Sequence, residues 1–326
     1  MEELYFDDDV DLAPIQGRVA VMGTGVLARA HALNLRDSGV DVVIGAGGDT
    51  AAIAELQDYG FPVVEPAEAA SGADAVAILT PVQEQGEVWV QVEPALGRDV
   101  AIVLGAGFAI HFGFIRPSRT HDVVLVASQG AAEDVRGEFE RGRGVPAMVA
   151  VQQDGSGAAW EVALAYAKAV GGTRGGAVPT TFAEQTEASL FASQAVTGGV
   201  ARLLEDAYGA LEARGFTPEI AELAVSRALA GAAHAFAEGG VAGIHGARST
   251  VDEFGDYTAA AAIAEGQQDR MAAALDAVHT GAFAQAFVND VAAGAPRLRE
   301  ERERRADAPI DRAAADVAQL YARRRA

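Results

Sequence analysis

The chain has 326 residues, half of them apolar, and carries a formal net charge of −21. This length predicts two domains, and this charge argues against nucleic acid and anionic membranes as partners. The absence of cysteine excludes disulfides, thiolate zinc sites and cysteine nucleophiles. No apolar run is long enough to span a membrane, and the acidic start lacks the apolar core of a signal peptide. A cytoplasmic protein is therefore expected.

The first half of the chain alternates short apolar runs with helical patterns. RVAVMG (18–23) and VDVVIGAG (40–47) are typical of buried parallel strands, and similar runs continue to about residue 128. This alternation predicts a doubly wound α/β domain of the Rossmann type over residues 1–150. Beyond it, Ala- and Leu-rich helical stretches predict an all-helical domain over residues 151–326.

A glycine-rich segment follows the first predicted strand. It matches the fingerprint G-x-G-x-x-G/A through Gly23, Thr24, Gly25, Val26, Leu27 and Ala28. In this fingerprint the first glycine permits a tight turn, the second lets the backbone approach a pyrophosphate, and the small third residue allows close packing. Because the segment also opens a predicted helix, it predicts a dinucleotide site.

The loop after the second strand normally selects between NAD and NADP. Here it contains Asp49 and Thr50 and no cation. Asp49 can accept a hydrogen bond from a ribose hydroxyl, which favours NAD, or it can cap the next helix. Pro81 and Gly105, at the ends of two later strands, complete the predicted cofactor-binding set. NAD(H) and NADP(H) both remain candidates.

Several longer stretches resemble ketol-acid reductoisomerases of the short, bacterial-type class. They include RAHALNLRDSGVDVVIG (29–45), VPAMVAVQQDGSG (145–157), TTFAEQTEASLF (180–191) and EFGDY (253–257). The resemblance runs from about residue 4 to the C-terminus. It implies a Rossmann domain followed by a knotted helical domain that forms a homodimer. It also implies NAD(P)H and two magnesium ions, which support alkyl migration in an acetohydroxy acid followed by hydride reduction.

The chain departs from this family at its active-site positions. The family's His and Asn around residue 107 correspond to Ala106 and Ala109. Its Pro-Lys-Gly-Pro-Gly-His segment corresponds to residues 128–133, so that Gln129 replaces the lysine and Glu133 the histidine.

The family's metal-binding carboxylates are also replaced. The Asp and Glu of the first helical stretch correspond to Ser189 and Ser193, and the two Glu from the partner subunit correspond to Ala224 and Ala228. Hydroxyl and methyl groups supply no negative charge to hold two divalent ions. We therefore predict that the dimagnesium site is absent and that isomerisation does not occur.

Three kinds of function are compatible with these departures. The first is a metal-independent, NAD(P)H-dependent reduction of an imine or ketone, since a protonated imine accepts hydride without a Lewis acid. The second is a catalytically silent homologue that binds a nucleotide as a sensor or pairs with another subunit. The third is an enzyme with a different metal arrangement, in which Glu184, Glu187 and Glu222 rebuild a site. A genuine ketol-acid reductoisomerase of valine and isoleucine synthesis is a separate alternative, which would require that the ligand positions are misidentified.

For the first function we predict a set of residues that orient or protonate a small-molecule substrate. The set consists of Gln129, Glu133, Ser189, Ser193, Ser249 and His245. Each also has a structural interpretation: the two serines one turn apart allow close packing, and His245 belongs to a glycine-rich surface loop that can act as a lid. His31 and His111, where the family also has histidine, are expected to support the fold.

Overall fold

The computed structural model describes residues 4–246 and 248–325. The chain divides into two compact units, Met1–Ala188 and Ser189–Ala326. No helix within the described ranges is both long and apolar enough to cross a membrane.

The first unit is built on one eight-stranded sheet. Its strands are β1 (Arg18–Met22), β2 (Asp41–Gly45), β3 (Val63–Val64), β4 (Ala75–Ile78), β5 (Ala101–Leu104), β6 (Asp122–Ser128), β7 (Ala147–Gln153) and β8 (Ala177–Pro179). Their spatial order is β3-β2-β1-β4-β5-β6-β7-β8, and β6 with β7 is the antiparallel pair. The strand order reverses between β1 and β4, and a doubly wound sheet binds ligands at such a switch point.

Helices connect these strands. They are α1 (Val26–Asp37), α2 (Thr50–Asp58), α3 (Pro66–Ala70), α4 (Val82–Val92), α5 (Phe108–His111), α6 (Ala132–Glu140), α7 (Ala159–Ala169), α8 (Gly172–Gly175) and α9 (Phe182–Phe191). Two apolar clusters form the core, one of which contains β1 side chains together with residues of α1 and α7. The predicted Rossmann-type α/β domain is therefore confirmed.

A buried histidine lies within this core. The Nδ1 atom of His31, in α1, is 3.1 Å from the hydroxyl of Tyr166 in α7. Burial lowers the pKa of His31 to about 4 and raises the pKa of Tyr166. His31 is therefore neutral at physiological pH, and its contacts are those of a packing residue.

The second unit is helical, as predicted. Its helices are α10 (Gly198–Glu212), α11 (Pro218–Gly246), α12 (Thr250–Gly255), α13 (Ala261–Ile263), α14 (Gln267–His279), α15 (Ala282–Ala292), α16 (Pro296–Arg305) and α17 (Pro309–Arg325). π-Helical turns at Ala192–Thr197 and Asp256–Ala260 interrupt the regular helices.

The sheet continues beyond the point at which strands were expected to end. Strand β7 extends to Gln153, and β8 pairs in parallel with β7. The first unit therefore runs to Ala188, not to residue 150. Strand β8 has only three residues, which is too short to show an alternating pattern in the sequence. Its pairing partners are distant in sequence and therefore could not be predicted. Tyr5, for example, forms an antiparallel bridge with Ala177.

Candidate functional site

The first candidate site is a crevice at the carboxyl ends of β1 and β4. Gly23 directly follows β1, has a φ of 121° and donates its N–H to the Gly45 carbonyl at 3.1 Å. A Cβ on Gly23 would lie 3.2 Å from the backbone nitrogen of Thr80. The positive φ and this close approach both require glycine.

The second glycine of the fingerprint provides open space. Gly25 is the N-cap of α1 and has no side chain to satisfy the first N–H groups of that helix. No atom lies within 4 Å of where its Cβ would stand. Ala28 is fully buried, as the third position of the fingerprint requires. Together, unsatisfied N–H groups and free space at a helix N-terminus make an anion-binding cradle.

Two further strand ends contribute to the same crevice. Thr80 follows β4, and its buried hydroxyl has no hydrogen-bond partner among the described residues. Pro81 is the N-cap of α4. A Cβ at Gly105, after β5, would stand 2.9 Å from Leu79 Cδ2. The orphan hydroxyl and the open cradle fit a dinucleotide, which would be held by the backbone from Gly23 to Leu27 and by Thr80.

Acidic side chains surround the loop after β2. Asp49 Oδ1 accepts hydrogen bonds from the N–H groups of Ala51 and Ala52, both at 3.1 Å, so it caps α2. Thr50 is the first residue of that helix. The nearby carboxylate of Glu65 reaches within 3.5 Å of the Cβ position of Gly47. Of the two roles considered for Asp49, the structure shows the capping role.

A cation next to α2 is already paired. Arg29, in the first turns of α1, contacts Glu55 of α2 with 2.5 Å between Nη1 and Oε1. The two side chains are 30% and 49% exposed, so a bound ligand could still reach them.

A polar cluster that sequence reasoning did not predict lies beside α5. The N–H of Gly107 donates to Gln185 Oε1 at 2.9 Å, and the buried hydroxyl of Thr186 has no partner within the described part of the chain. His111 Nε2 is 3.6 Å from Glu187 Oε1. The stretch TTFAEQTEASLF contains three of these side chains, but its sequence does not indicate that they contact the residues of α5.

Gln129 and Glu133 take different positions. Gln129 lies after β6, and its side-chain amide donates to the Ala127 carbonyl at 2.9 Å. Glu133, in the first turn of α6, lines a cavity of about 350 Å³ with Val26, Arg29 and other residues of α1 and α6. Glu133 is therefore close to the start of α1, whereas the Gln129 side chain is bonded to its own strand.

The four positions that the resemblance identifies with the family's metal ligands carry no carboxylate. Ser189 belongs to α9, Ser193 to the π-helical turn at 192–197, and Ala224 and Ala228 to α11. Within residues 4–246 and 248–325, no three His, Cys, Asp or Glu side chains form a cluster able to hold a metal ion. The donor chemistry at these four positions does not fit two magnesium ions, because Mg²⁺ prefers carboxylate oxygens.

Of the acids in the rearranged metal site that the sequence left open, Glu184 has another partner and Glu222 has an oxygen without one in the described part of the chain. Glu184 Oε2 accepts a hydrogen bond from the Thr180 hydroxyl at 2.8 Å. Glu222 is buried in α11, and its Oε2 has no partner among the described residues.

His245 and Ser249 lie close in sequence but have different roles. Ser249 is the N-cap of α12, and its hydroxyl donates to Asp252 Oδ2 at 2.6 Å. His245 Nδ1 is 3.0 Å from Asp256 Oδ2, and Arg248 Nη1 is 3.2 Å from Asp256 Oδ1. The loop expected around His245 is wrong: α11 bends at Gly239 and Gly240 and then continues helically to Gly246.

The sheet topology and the glycine-lined crevice define a Rossmann-type dinucleotide-binding protein. Residues 15–176 match the family model described as acetohydroxy acid isomeroreductase, NADPH-binding domain, and residues 182–323 match that of the ketol-acid reductoisomerase C-terminal domain. The chain belongs to the ketol-acid reductoisomerase family.

Curated relatives match over nearly the whole chain. The ketol-acid reductoisomerase (NADP(+)) of Renibacterium salmoninarum is 42% identical, over 98% of this chain and 95% of the relative. That of Beutenbergia cavernae is 43% identical, over 99% and 95%. Among solved structures, an NADH-preferring ketol-acid reductoisomerase from an uncultured archean has a TM-score of 0.92 at 31% identity, covering 98% of this chain and 99% of that one.

Proposed function

We propose that the protein is an NAD(P)H-dependent oxidoreductase acting on a small molecule. The observation that carries this proposal is the crevice at the β1/β4 switch point, with its open cradle at Gly25 and the orphan hydroxyl of Thr80. When bound, the nicotinamide supplies a hydride. The chain's own residues hold the pyrophosphate at the start of α1 and position the cofactor at the carboxyl ends of the strands.

Fluorescence titration of the full chain with NADH and NADPH tests this proposal. Saturable binding of at least one dinucleotide is expected. If neither NADH nor NADPH binds, the proposal is contradicted. The remaining alternative is then a non-catalytic protein that pairs with another subunit.

Two reductions compete within this class. The relatives are named ketol-acid reductoisomerase (NADP(+)), which favours isomeroreduction. The residues of this chain favour a metal-independent reduction of a ketone or imine, because Ser189, Ser193, Ala224 and Ala228 stand where the family's carboxylates are expected. We adopt the second, since it follows from the donor chemistry of this chain.

The proposed catalytic group includes one paired histidine. Of the six residues predicted, His245 has the arrangement of a proton donor, because the Asp256 carboxylate accepts from its Nδ1–H and the Nε2–H of the protonated ring is the group that donates. Arg248 fixes the other oxygen of Asp256 and so supports that orientation. Gln129, Glu133, Ser189, Ser193 and Ser249 are retained as groups that orient the substrate.

We also propose that NADH is preferred over NADPH. The 2′-phosphate of NADPH brings extra negative charge to the region of Asp49 and Glu65. The cation that would offset this charge, Arg29, is neutralised by Glu55.

The substitution Glu55→Gln should release Arg29 and tighten NADPH binding by roughly threefold to tenfold, with NADH changed less than twofold. Asp41→Asn is the matched control, because Asp41 pairs with Arg18 at the opposite end of β2. Dissociation constants from nucleotide fluorescence provide the measurement. Equal effects of the two substitutions, or tighter NADPH than NADH binding in the wild type, would refute the preference.

A homodimer formed through the second unit is proposed as well. Large apolar side chains of this unit are at least half exposed, an arrangement that a water-facing surface seldom has. They are Val196, Leu203, Phe216, Ile220, Phe236, Val241, Val251, Phe254, Tyr257, Ile263, Leu320 and Tyr321. The family resemblance implies that a second copy of this chain covers these side chains.

Phe254→Glu should dissociate this dimer, weakening association by roughly a hundredfold or more, because a charge replaces a buried aromatic contact. Val90→Glu serves as the control, since Val90 and Phe254 are both 71% exposed and Val90 lies in the first unit. Sedimentation velocity measures the result. A monomeric wild type, or a dimer that survives Phe254→Glu, would disprove the proposed interface.

A further inference from the structure

The loop between β5 and α5 forms one wall of the dinucleotide crevice. It consists of Gly105, Ala106 and Gly107 at the carboxyl end of β5. A Cβ at Gly105 would lie 2.9 Å from Leu79 Cδ2 and 3.4 Å from Leu27 Cδ2, so this loop contacts both the end of β4 and the glycine-rich fingerprint. The loop therefore borders the space proposed for the cofactor.

The place of this loop in the sheet corresponds to the nicotinamide half of a dinucleotide. In a doubly wound sheet the two nucleotide halves lie on opposite sides of the switch point, and the loop after β2 contacts the adenosine half. The other half then lies over the ends of β4 and β5, which follow β1 in the strand order β3-β2-β1-β4-β5. We therefore expect residues 105–107 beside the nicotinamide.

The side chains of this loop offer no polar group. Two glycines and one alanine leave only backbone N–H and carbonyl groups to contact a ligand. The helix that follows, α5, has only four residues, and a helix of a single turn has little stability of its own. The position of the loop therefore depends on contacts from other elements.

Helix α9 supplies such contacts. The buried side chain of Gln185 accepts a hydrogen bond from the Gly107 N–H, with 2.9 Å between Oε1 and the nitrogen. The backbone of Gly107 also lies directly against α9, because a Cβ there would be 2.9 Å from the Phe182 carbonyl oxygen and closer still to the Thr186 hydroxyl. This hydrogen bond and this close packing hold the buried side of the loop.

We propose that Gln185 is a positioning residue for the nicotinamide: it holds the loop so that the backbone of Gly105 and Ala106 contacts the ring. Gln185 is only 4% exposed and bonds to the loop, so it acts through the loop and not on the cofactor directly. This inference rests on the proposed function, because it requires that a nicotinamide dinucleotide binds.

Calorimetric titration of the full chain with two ligands tests the proposal. NADH contains the nicotinamide, whereas ADP-ribose has the same adenosine, pyrophosphate and second ribose without it. Gln185→Met removes the acceptor and leaves the Gly107 N–H without its partner. This variant should bind NADH roughly fivefold or more weakly and change ADP-ribose binding less than twofold, because only the nicotinamide has to order the released loop.

Gln153→Met is the matched control for the loss of a glutamine that holds a loop. Gln153 Nε2 donates to the carbonyls of Ser118 and His121 at 2.7 and 2.6 Å, before β6 and therefore at the amino edge of the same sheet. This variant should change the binding of each ligand less than twofold. Gln185→Glu keeps an accepting oxygen and should bind NADH within threefold of the wild type.

A second variant displaces the loop without removing the glutamine. Gly107→Ala forces the loop away from α9 and should give the same selective loss of NADH affinity. Thermal unfolding of each variant separates this loss from misfolding.

Equal weakening of NADH and ADP-ribose by Gln185→Met would overturn the proposal, and so would a selective loss of NADH affinity in Gln153→Met or a failure of Gln185→Glu to retain binding. A wild type that binds neither ligand would contradict the proposed function and this inference together. A wild type that binds NADH, with Gln185→Met binding it equally well, would contradict this inference alone.

Discussion

Replacing Gly25 by aspartate should reduce dinucleotide affinity at least a hundredfold while leaving the fold intact. No atom lies within 4 Å of the Cβ position at Gly25, and its φ of −65° suits any residue. The new carboxylate would occupy the space proposed for the pyrophosphate. Repulsion between like charges a few ångströms apart amounts to about 4 kcal/mol per pair at an effective dielectric constant of ~20.

The same substitution should not destabilise the protein. Aspartate is a better N-cap than glycine by a few tenths of a kcal/mol or more, and its charge favours the N-terminus of α1. Loss of affinity combined with equal or greater stability would separate the role of this glycine in binding from a role in folding.

Gly86→Asp is the matched control, because Gly86 lies in α4 and also has no atom within 4 Å of its Cβ position. Nucleotide fluorescence and urea unfolding provide the two measurements. Undiminished NADH binding by the Gly25 variant would show that the pyrophosphate lies elsewhere.

The sequence predicted this crevice because its signals are local. The spacing of Gly23 and Gly25 between an apolar run and a helix specifies a turn whose geometry depends on few distant contacts. The orphan hydroxyl of Thr80 had no such signal, since its burial depends on the packing of β4 against its neighbours.

The second unit was harder to predict in detail. Gly239 and Gly240 indicated a loop, yet the helix resumes after them and carries His245 in its last turn. The pairing of His245 with Asp256 joins residues eleven positions apart across a helix start, which no periodic pattern encodes.

The second prediction with a large expected effect concerns the binding of magnesium. We expect no saturable Mg²⁺ binding by the wild-type chain, because Ser189, Ser193, Ala224 and Ala228 contribute no charge towards two divalent ions. Hydride transfer to a ketone should then proceed equally well in magnesium and in chelator.

A variant that restores the carboxylates provides the positive control. Ser189→Asp, Ser193→Glu, Ala224→Glu and Ala228→Glu together place acids at the four positions that the resemblance identifies with the family's metal ligands. Calorimetric Mg²⁺ binding by this variant, and not by the wild type, would show that these positions decide metal affinity. Equal binding by both would show that other residues hold the metal.

The most direct measurement follows NAD(P)H oxidation with two substrates, each in magnesium and in chelator. One is 2-acetolactate, which gives the rearranged dihydroxy acid only after alkyl migration, and the other is the rearranged ketone 3-hydroxy-3-methyl-2-oxobutanoate, which needs only hydride. The account predicts reduction of the rearranged ketone at the same rate in both conditions and no rearranged dihydroxy acid from 2-acetolactate. Magnesium-dependent formation of 2,3-dihydroxy-3-methylbutanoate from 2-acetolactate would contradict it.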